Sequence, residues 1–120
     1  MATILVVEDD DSVRIFTQRA LSTDGHEVDV AVDGDDGLER FRAAASPYDL
    51  VLSDIRMPVM DGIEMAHRIA EISPKTPILL MTGYAEQRER AVELAGIVKG
   101  VVDKPFTLPQ LRERVRQALA

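Results

Sequence analysis

Four short apolar runs punctuate the chain: Ile4-Leu5-Val6-Val7, Leu50-Val51-Leu52, Ile78-Leu79-Leu80-Met81 and Val101-Val102. None alternates with polar residues, the pattern of strands covered on both faces in a parallel sheet. A fifth segment, Val28-Asp29-Val30-Ala31-Val32, does alternate, as an edge strand with one wetter face does. Helical periodicities separate the runs. Val13, Phe16 and Ala20 share one predicted face, Leu38, Phe41 and Ala45 a second, and Ile63, Ala66, Ile69 and Ala70 a third. Ala91, Val92 and Ala95 make a weaker fourth. Leu108, Leu111, Val115 and Leu119 make the fifth, opened by Thr107 as a cap with Pro109 in the first turn. Gly25, Gly34, Gly62, Gly83 and Gly100 fall near element ends, where turns need them.

The pattern is five βα units in series. It predicts an α/β fold, (βα)5, with a doubly wound parallel five-stranded sheet and right-handed crossovers. Strand order 2-1-3-4-5, the flavodoxin-like arrangement, puts the alternating second strand at an edge. Ligands of such sheets bind beyond the carboxyl ends of the strands, near the switch point between strands 1 and 3.

Composition narrows the function. The 120 residues suit one domain spanning 1–120, and 46% hydrophobic with 29% charged residues is an ordinary globular balance. Cysteine is absent, which removes disulfides, thiolate zinc sites, iron–sulfur clusters and cysteine nucleophiles together. A net charge of −7 disfavours nonspecific binding to nucleic acid or anionic membranes. Residues 1–61 carry 14 acids and 5 bases, whereas residues 62–120 carry 7 and 9, so the anionic character sits in the first half. The amino terminus has no basic segment before its apolar run, and no run nears the ~20 residues of a membrane span. The expectation is a cytoplasmic domain with no nucleic-acid or membrane partner.

The predicted strands end in chemistry. Strand 1 runs into Glu8-Asp9-Asp10-Asp11, strand 3 into Ser53-Asp54-Ile55-Arg56-Met57-Pro58, strand 4 into Thr82-Gly83 and strand 5 into Asp103-Lys104-Pro105. Taken singly, these are ordinary: Asp10 or Asp11 as a helix cap, Asp54 as a turn residue, Thr82 as an N-cap, Lys104 as a solvated lysine. Gathered at one edge, the carboxylates repel unless a cation offsets them. Mg²⁺, a hard dication that keeps several waters, fits oxygen ligands best. Calcium fits less well: Asp33-Gly34-Asp35-Asp36-Gly37 resembles an EF-hand loop, but its glycine is one position early, so it reads as a turn and helix cap. A carboxylate beside Mg²⁺, a lysine and a hydroxyl can also hold a phosphoryl group. The metal and Lys104 would neutralise two of its oxygens, Thr82 would donate to a third, and Asp54 could then attack phosphorus and become an aspartyl phosphate.

Val6-Val7-Glu8-Asp9-Asp10, Asp54-Ile55-Arg56-Met57-Pro58-Val59-Met60-Asp61-Gly62, Met81-Thr82-Gly83-Tyr84 and Lys104-Pro105-Phe106 resemble the CheY-like receiver domains of two-component response regulators, across the whole chain. The resemblance implies that Asp54 is the phosphoacceptor. Glu8 and Asp9 match the acidic pair, Asp9 being the direct Mg²⁺ ligand, and Arg56 lends its backbone carbonyl to the metal. Thr82 matches the switch hydroxyl and Lys104 the phosphoryl-binding lysine, followed by Pro105 across a bond that is cis in relatives. Many relatives carry an aromatic residue where this chain has Val101, so the usual threonine–aromatic swing cannot operate as it does there. Tyr84 is the nearest aromatic, a candidate for gating the site or for the output surface, and Gly83 replaces a commoner alanine.

The implied donor is a histidine kinase or phosphotransfer protein. The implied output face joins the fourth helix, fifth strand and fifth helix, where Arg88, Arg90, Lys99, Arg112, Arg114 and Arg116 fall. They read as a solvated polar face or as a surface for an acidic or mixed partner. The chain ends inside its last predicted helix and begins with Met1, so a stand-alone bacterial receiver, including protease adaptors of the CpdR type, is the expectation. A receiver excised from a hybrid histidine kinase is the alternative. Two other classes compete: a small Mg²⁺-dependent aspartyl-phosphate phosphatase, and a flavodoxin-like nucleotide or flavin binder. The second needs a Ser/Thr/Gly-rich phosphate loop where this chain has acids. His26 and His67 lack a metal-spaced partner and read as structural or surface residues.

Overall fold

The computed structural model describes residues 1–120. Its elements run β1 (Thr3–Val7), α1 (Asp11–Thr23), β2 (Glu27–Ala31), α2 (Gly34–Ala43), β3 (Leu50–Asp54), α3 (Gly62–Ile72), β4 (Ile78–Thr82), α4 (Ala85–Val92), β5 (Gly100–Asp103) and α5 (Leu108–Leu119). The strands form one parallel sheet in the order β2-β1-β3-β4-β5. The expected fold class and strand order therefore hold.

The continuous apolar runs are explained by the sheet's two covered faces. Leu5, Val7, Val51, Ile78, Leu80 and Val101 pack with α2, α3 and α4. Their alternates Ile4, Val6, Leu50, Leu52, Leu79, Met81 and Val102 pack with α1 and α5. Every strand residue from Leu50 to Asp54 and from Ile78 to Thr82 is buried. β2 alone alternates, with Glu27 and Asp29 exposed at the sheet edge.

Three helical faces differ from the expectation. In α1 the buried stripe is Thr17, Ala20 and Leu21, while Phe16 is 44% exposed; the i, i+3, i+4 spacing of the buried set narrows the face and leaves Phe16 on its flank. α2 stops at Ala43, because Ala44 turns extended (ψ 134°), which leaves Ala45 exposed outside the helix. In the fourth helical segment Ala91 is buried, but Val92 and Ala95 are exposed. Leu94 and Val98 take their places in the core. The reason is a tightened backbone: the Leu94 amide donates to the Ala91 carbonyl and the Ile97 amide to the Leu94 carbonyl, three-residue turns that bring a different set inward. α5 opens as expected, with Thr107 accepting from the Gln110 amide and Gln110 closing the capping box. No helix is long and apolar enough to cross a membrane.

Candidate functional site

The β1–α1 turn sets the first two carboxylates. Asp10 caps α1 by accepting from the Val13 amide at 3.0 Å, and its own amide donates to Glu8 Oε2 at 3.2 Å. Glu8 is fully buried, while Asp9 is exposed. Asp54 closes β3, nearly buried, with Oδ1 accepting from the Ile55 amide at 3.0 Å. Glu8, Asp9 and Asp54 each bring a carboxylate oxygen within 4.8 Å of the others. Lys104, at the end of β5, reaches in with Nζ 2.5 Å from Glu8 Oε1 and 3.3 Å from Asp54 Oδ2.

Burial dominates the electrostatics. It lifts the Glu8 carboxyl to about 7, with the Asp54 charge adding to the rise and the Lys104 hydrogen bond opposing it. Burial also raises Asp54, against the pull of Lys104. For Lys104, burial acts downward, but its hydrogen bond to Glu8 and the charges of Asp54 and Glu8 outweigh it and hold the ammonium above its usual range. One ammonium thus serves a pocket of three acids, which leaves room for a further cation. The donor set is hard oxygen throughout, the chemistry that suits Mg²⁺.

The loop after β3 is braced so that Asp54 stays at the mouth. Met57 and Met60 bury into the core under α2 and α3. Gly62 donates its amide to the Ile55 carbonyl at 2.8 Å. A Cβ on Gly62 would lie 2.1 Å from the Asp54 carbonyl oxygen, so only glycine allows this approach. Val59, at the tip, holds φ +71°, where its branched side chain is strained, and it is 82% exposed.

Thr82 is buried and is not an N-cap: α4 is capped at Tyr84 without a side-chain bond, and Thr82 Oγ1 instead accepts from the Tyr84 amide at 3.1 Å. The Tyr84 ring is half exposed and lies 5.0 Å beneath the Arg56 guanidinium, so the loops that follow β3 and β4 touch through these two side chains. Val101 sits away from the pocket, buried with Ala91, Leu94 and Val98. The Lys104–Pro105 bond is cis.

The sequence did not single out two neighbours of the pocket. Arg14 donates from Nη1 to the Glu8 carbonyl at 2.9 Å and pairs with Asp11. Phe16, with Ser12, Val13, Lys104, Pro105 and Phe106, lines a shallow apolar groove of about 410 Å³ beside the lysine. A large aromatic on α1 four residues after the capped turn was the available signal for Phe16; for Arg14 there was none. The basic residues of the α4–β5–α5 side are mostly satisfied within the protein. Arg88 pairs with Asp103, Arg90 with Asp61, Arg112 with Asp24 and Arg116 with Glu113, and Arg114 donates to the Val101 carbonyl at 3.0 Å. His26 accepts from the Ala2 amide at 3.1 Å and His67 is exposed on α3, structural and surface roles as expected.

The family model for the response regulator receiver domain matches residues 4–116. The chain belongs to that family. This receiver is 37% identical over 119 residues to the response regulator receiver protein CpdR of Brucella abortus, covering 99% of this chain and 98% of CpdR. It is 36% identical over 118 residues to the sensor kinase CckA of the same organism, covering 98% of this chain but 12% of CckA. The chain also spans about half the length of several regulators it matches. Among solved structures, the response regulator TrrA of Thermotoga maritima, determined in complex with Mg²⁺ and BeF, superposes with a TM-score of 0.88 at 34% identity, covering 99% of this chain and all of that one. The receiver family is a signalling family, and the acidic pocket of this member fits Mg²⁺ and a phosphoacceptor aspartate.

Proposed function

We propose that residues 1–120 work as a phosphorylation-controlled switch in the cytoplasm, with Asp54 accepting a phosphoryl group from a histidine kinase or phosphotransfer protein. The observation that carries this reading is the Asp54 carboxylate at the sheet edge, 3.3 Å from the Lys104 ammonium and crowded by two further acids. An Asp54 oxygen attacks phosphorus, the phosphorus–nitrogen bond to the donor imidazole breaks, and the imidazole leaves with its electron pair and takes a proton. Lys104 stabilises the charge on one phosphoryl oxygen as a compact point charge. Thr82 donates to another: the Tyr84 amide occupies a lone pair of its oxygen and leaves the hydroxyl proton for the phosphoryl group. Glu8, Asp9, Asp54 and the Arg56 carbonyl would hold Mg²⁺, which when bound would supply the positive charge that the acids and the phosphoryl oxygens lack. Catalysis is confined to the domain's own phosphorylation and dephosphorylation.

With Val101 in place of an aromatic, switching runs through Tyr84. A Thr82 hydroxyl drawn to the phosphoryl group releases the Tyr84 amide and with it the ring beneath Arg56, which biases the β4–α4 loop between two arrangements. Tyr84 therefore both covers the pocket and reports on it. Pro105 and Phe106 frame the groove beside Lys104, and with Phe16 they offer the donor protein an apolar foothold next to the reacting carboxylate. The downstream partner takes the α4–β5–α5 side, where Val92 is exposed and most arginines already hold internal acceptors. The near-complete coverage of CpdR supports a receiver acting by itself, and the match to a segment of CckA supports the same chemistry in a hybrid kinase.

Incubation with Mg²⁺ and acetyl phosphate, read by intact mass, tests the proposal. A gain of about 80 Da, one phosphoryl group, that disappears in Asp54→Asn is expected. Sustained multiple turnover of small phosphates would instead make the protein a phosphatase, and an unmodified wild type would remove the reading.

A further inference from the structure

The β1–α1 turn contains an arrangement that the phosphorylation chemistry does not explain. Asp9, the exposed member of the acidic set, makes no side-chain hydrogen bond; its aim depends on the peptide that joins it to Glu8. The carbonyl of that peptide accepts from Arg14 Nη1 at 2.9 Å, and the other arm of the guanidinium is pinned by Asp11. The Arg14 side chain is only 15% exposed, although it begins on the first turn of a helix at the molecular edge. Glu8 is fixed from three further directions: its amide donates to the Ala31 carbonyl at 3.0 Å, and its carboxylate takes the Asp10 amide and Lys104. Asp9 has no such ties.

We propose that Arg14 is a positioning residue for Mg²⁺: by holding the Glu8 carbonyl it orients the Glu8–Asp9 peptide and so aims the Asp9 carboxylate at Glu8 and Asp54. The inference rests on the magnesium site proposed above. It has a sign that separates it from simple charge. Removing a cation beside an acidic pocket strengthens the pocket's attraction for a dication. Removing a group that orients a ligand weakens binding, typically 10–100-fold.

Calorimetric titration of the metal-free protein with Mg²⁺ decides between them. Wild type binds; Arg14→Met, which keeps the length of the side chain but not its charge or donors, binds about tenfold more weakly. Arg14→Lys recovers most of the loss through its remaining donor. Asp11→Asn, which frees the outer arm only, stays close to wild type. In the metal-free state, amide exchange at Asp10 is faster in Arg14→Met, a readout that needs no metal. Equal or tighter Mg²⁺ binding by Arg14→Met overturns the inference, as does an equal loss in Asp11→Asn. A wild type that takes up no Mg²⁺ removes the site itself rather than the role of Arg14. Should Arg14→Met fail to fold, Arg14→Leu takes its place, and Mg²⁺ binding equal to or tighter than that of the wild type then overturns the inference.

Discussion

Replacing Glu8 by glutamine removes one titratable proton from a fully buried position while keeping the volume of the side chain. In the folded chain the Glu8 carboxyl titrates at about 7, against 4.5 for an unperturbed glutamate, chiefly because burial disfavours its charge. An acid whose pKa is raised by folding holds its proton in the folded state when the unfolded chain has already lost it. Its contribution is therefore full below about 4.5 and is lost as pH rises through about 7. The gap amounts to about 3 kcal/mol. Asp54 is raised by the same cause and adds in the same direction. Lys104, raised above its usual range, changes stability only at alkaline pH and does not enter this window. Urea unfolding in EDTA should show the wild type losing stability from pH 5 to 7.5, and thermal unfolding over the same range a fall in Tm on the order of 10 °C. Glu8→Gln should be flatter, keeping only the Asp54 slope, and should be the more stable protein at pH 7.5 without metal. Magnesium at ten times its dissociation constant should return about 1.4 kcal/mol to the wild type, because it binds the ionised pocket. Wild-type stability that holds level or rises over this range in EDTA, or the same slope in both proteins, would refute the claim that burial governs Glu8.

Other outcomes follow from single contacts. Gly62→Ala forces a methyl group onto the Asp54 carbonyl oxygen, 2.1 Å away, and should cost about 3 kcal/mol in urea unfolding; unchanged stability would remove the close-approach argument. Phe16→Ala should slow phosphotransfer from a protein donor about tenfold, a loss of about 1.4 kcal/mol in docking, while leaving the rate with acetyl phosphate unchanged in a stopped-flow comparison. Equal slowing with both donors would place Phe16 in the chemistry instead. Tyr84→Ala removes a cation–π contact worth about 0.5–1 kcal/mol, so phosphorylation by acetyl phosphate and loss of the phosphoryl group should both speed up a few-fold; slower rates would mean that the ring assists rather than covers.

The parts legible in the sequence are those set by local pattern. An apolar run of four with no alternation leaves little choice but a buried parallel strand, and a run that alternates belongs at an edge; β1 and β2 follow from that alone. Thr107 and Pro109 spell a helix start because a capping hydroxyl and a first-turn proline lie within two residues of each other, whereas the part of Gln110 in the capping box came from the structure. The illegible parts depend on distant partners. Phe16 satisfies the helical period of α1 as well as Ala20 does, and only the position of α5 and the Pro105–Phe106 turn decides that one packs inward while the other stands at the rim. Leu94 and Val98 replace Val92 and Ala95 in the core because the chain tightens after Ala91, a change of pitch that no fixed period reports.

The same division runs through the site. Glu8, Asp9, Asp54, Thr82 and Lys104 could be named because each ends a strand, and a parallel sheet must bring strand ends to one edge. Which acid would be the most perturbed could not be read the same way. Glu8 and Asp9 are neighbours of like charge, yet Glu8 is buried and Asp9 is exposed, since consecutive residues leaving β1 point to opposite sides. Lys104 then pairs with the buried one at 2.5 Å, across 96 residues of sequence. A cation was required by the crowding of acids; that it contacts Glu8 more closely than Asp54, at 2.5 against 3.3 Å, is a fact of geometry. It has a consequence for the chemistry. Before phosphorylation the ammonium is held mainly by an acid that does not react, so it lies within reach of Asp54 without closing off the oxygen that must attack. A shift of Lys104 from Glu8 toward an incoming phosphoryl oxygen leaves Glu8 without its closest cation at the moment the pocket gains negative charge, and this is where a dication is needed most.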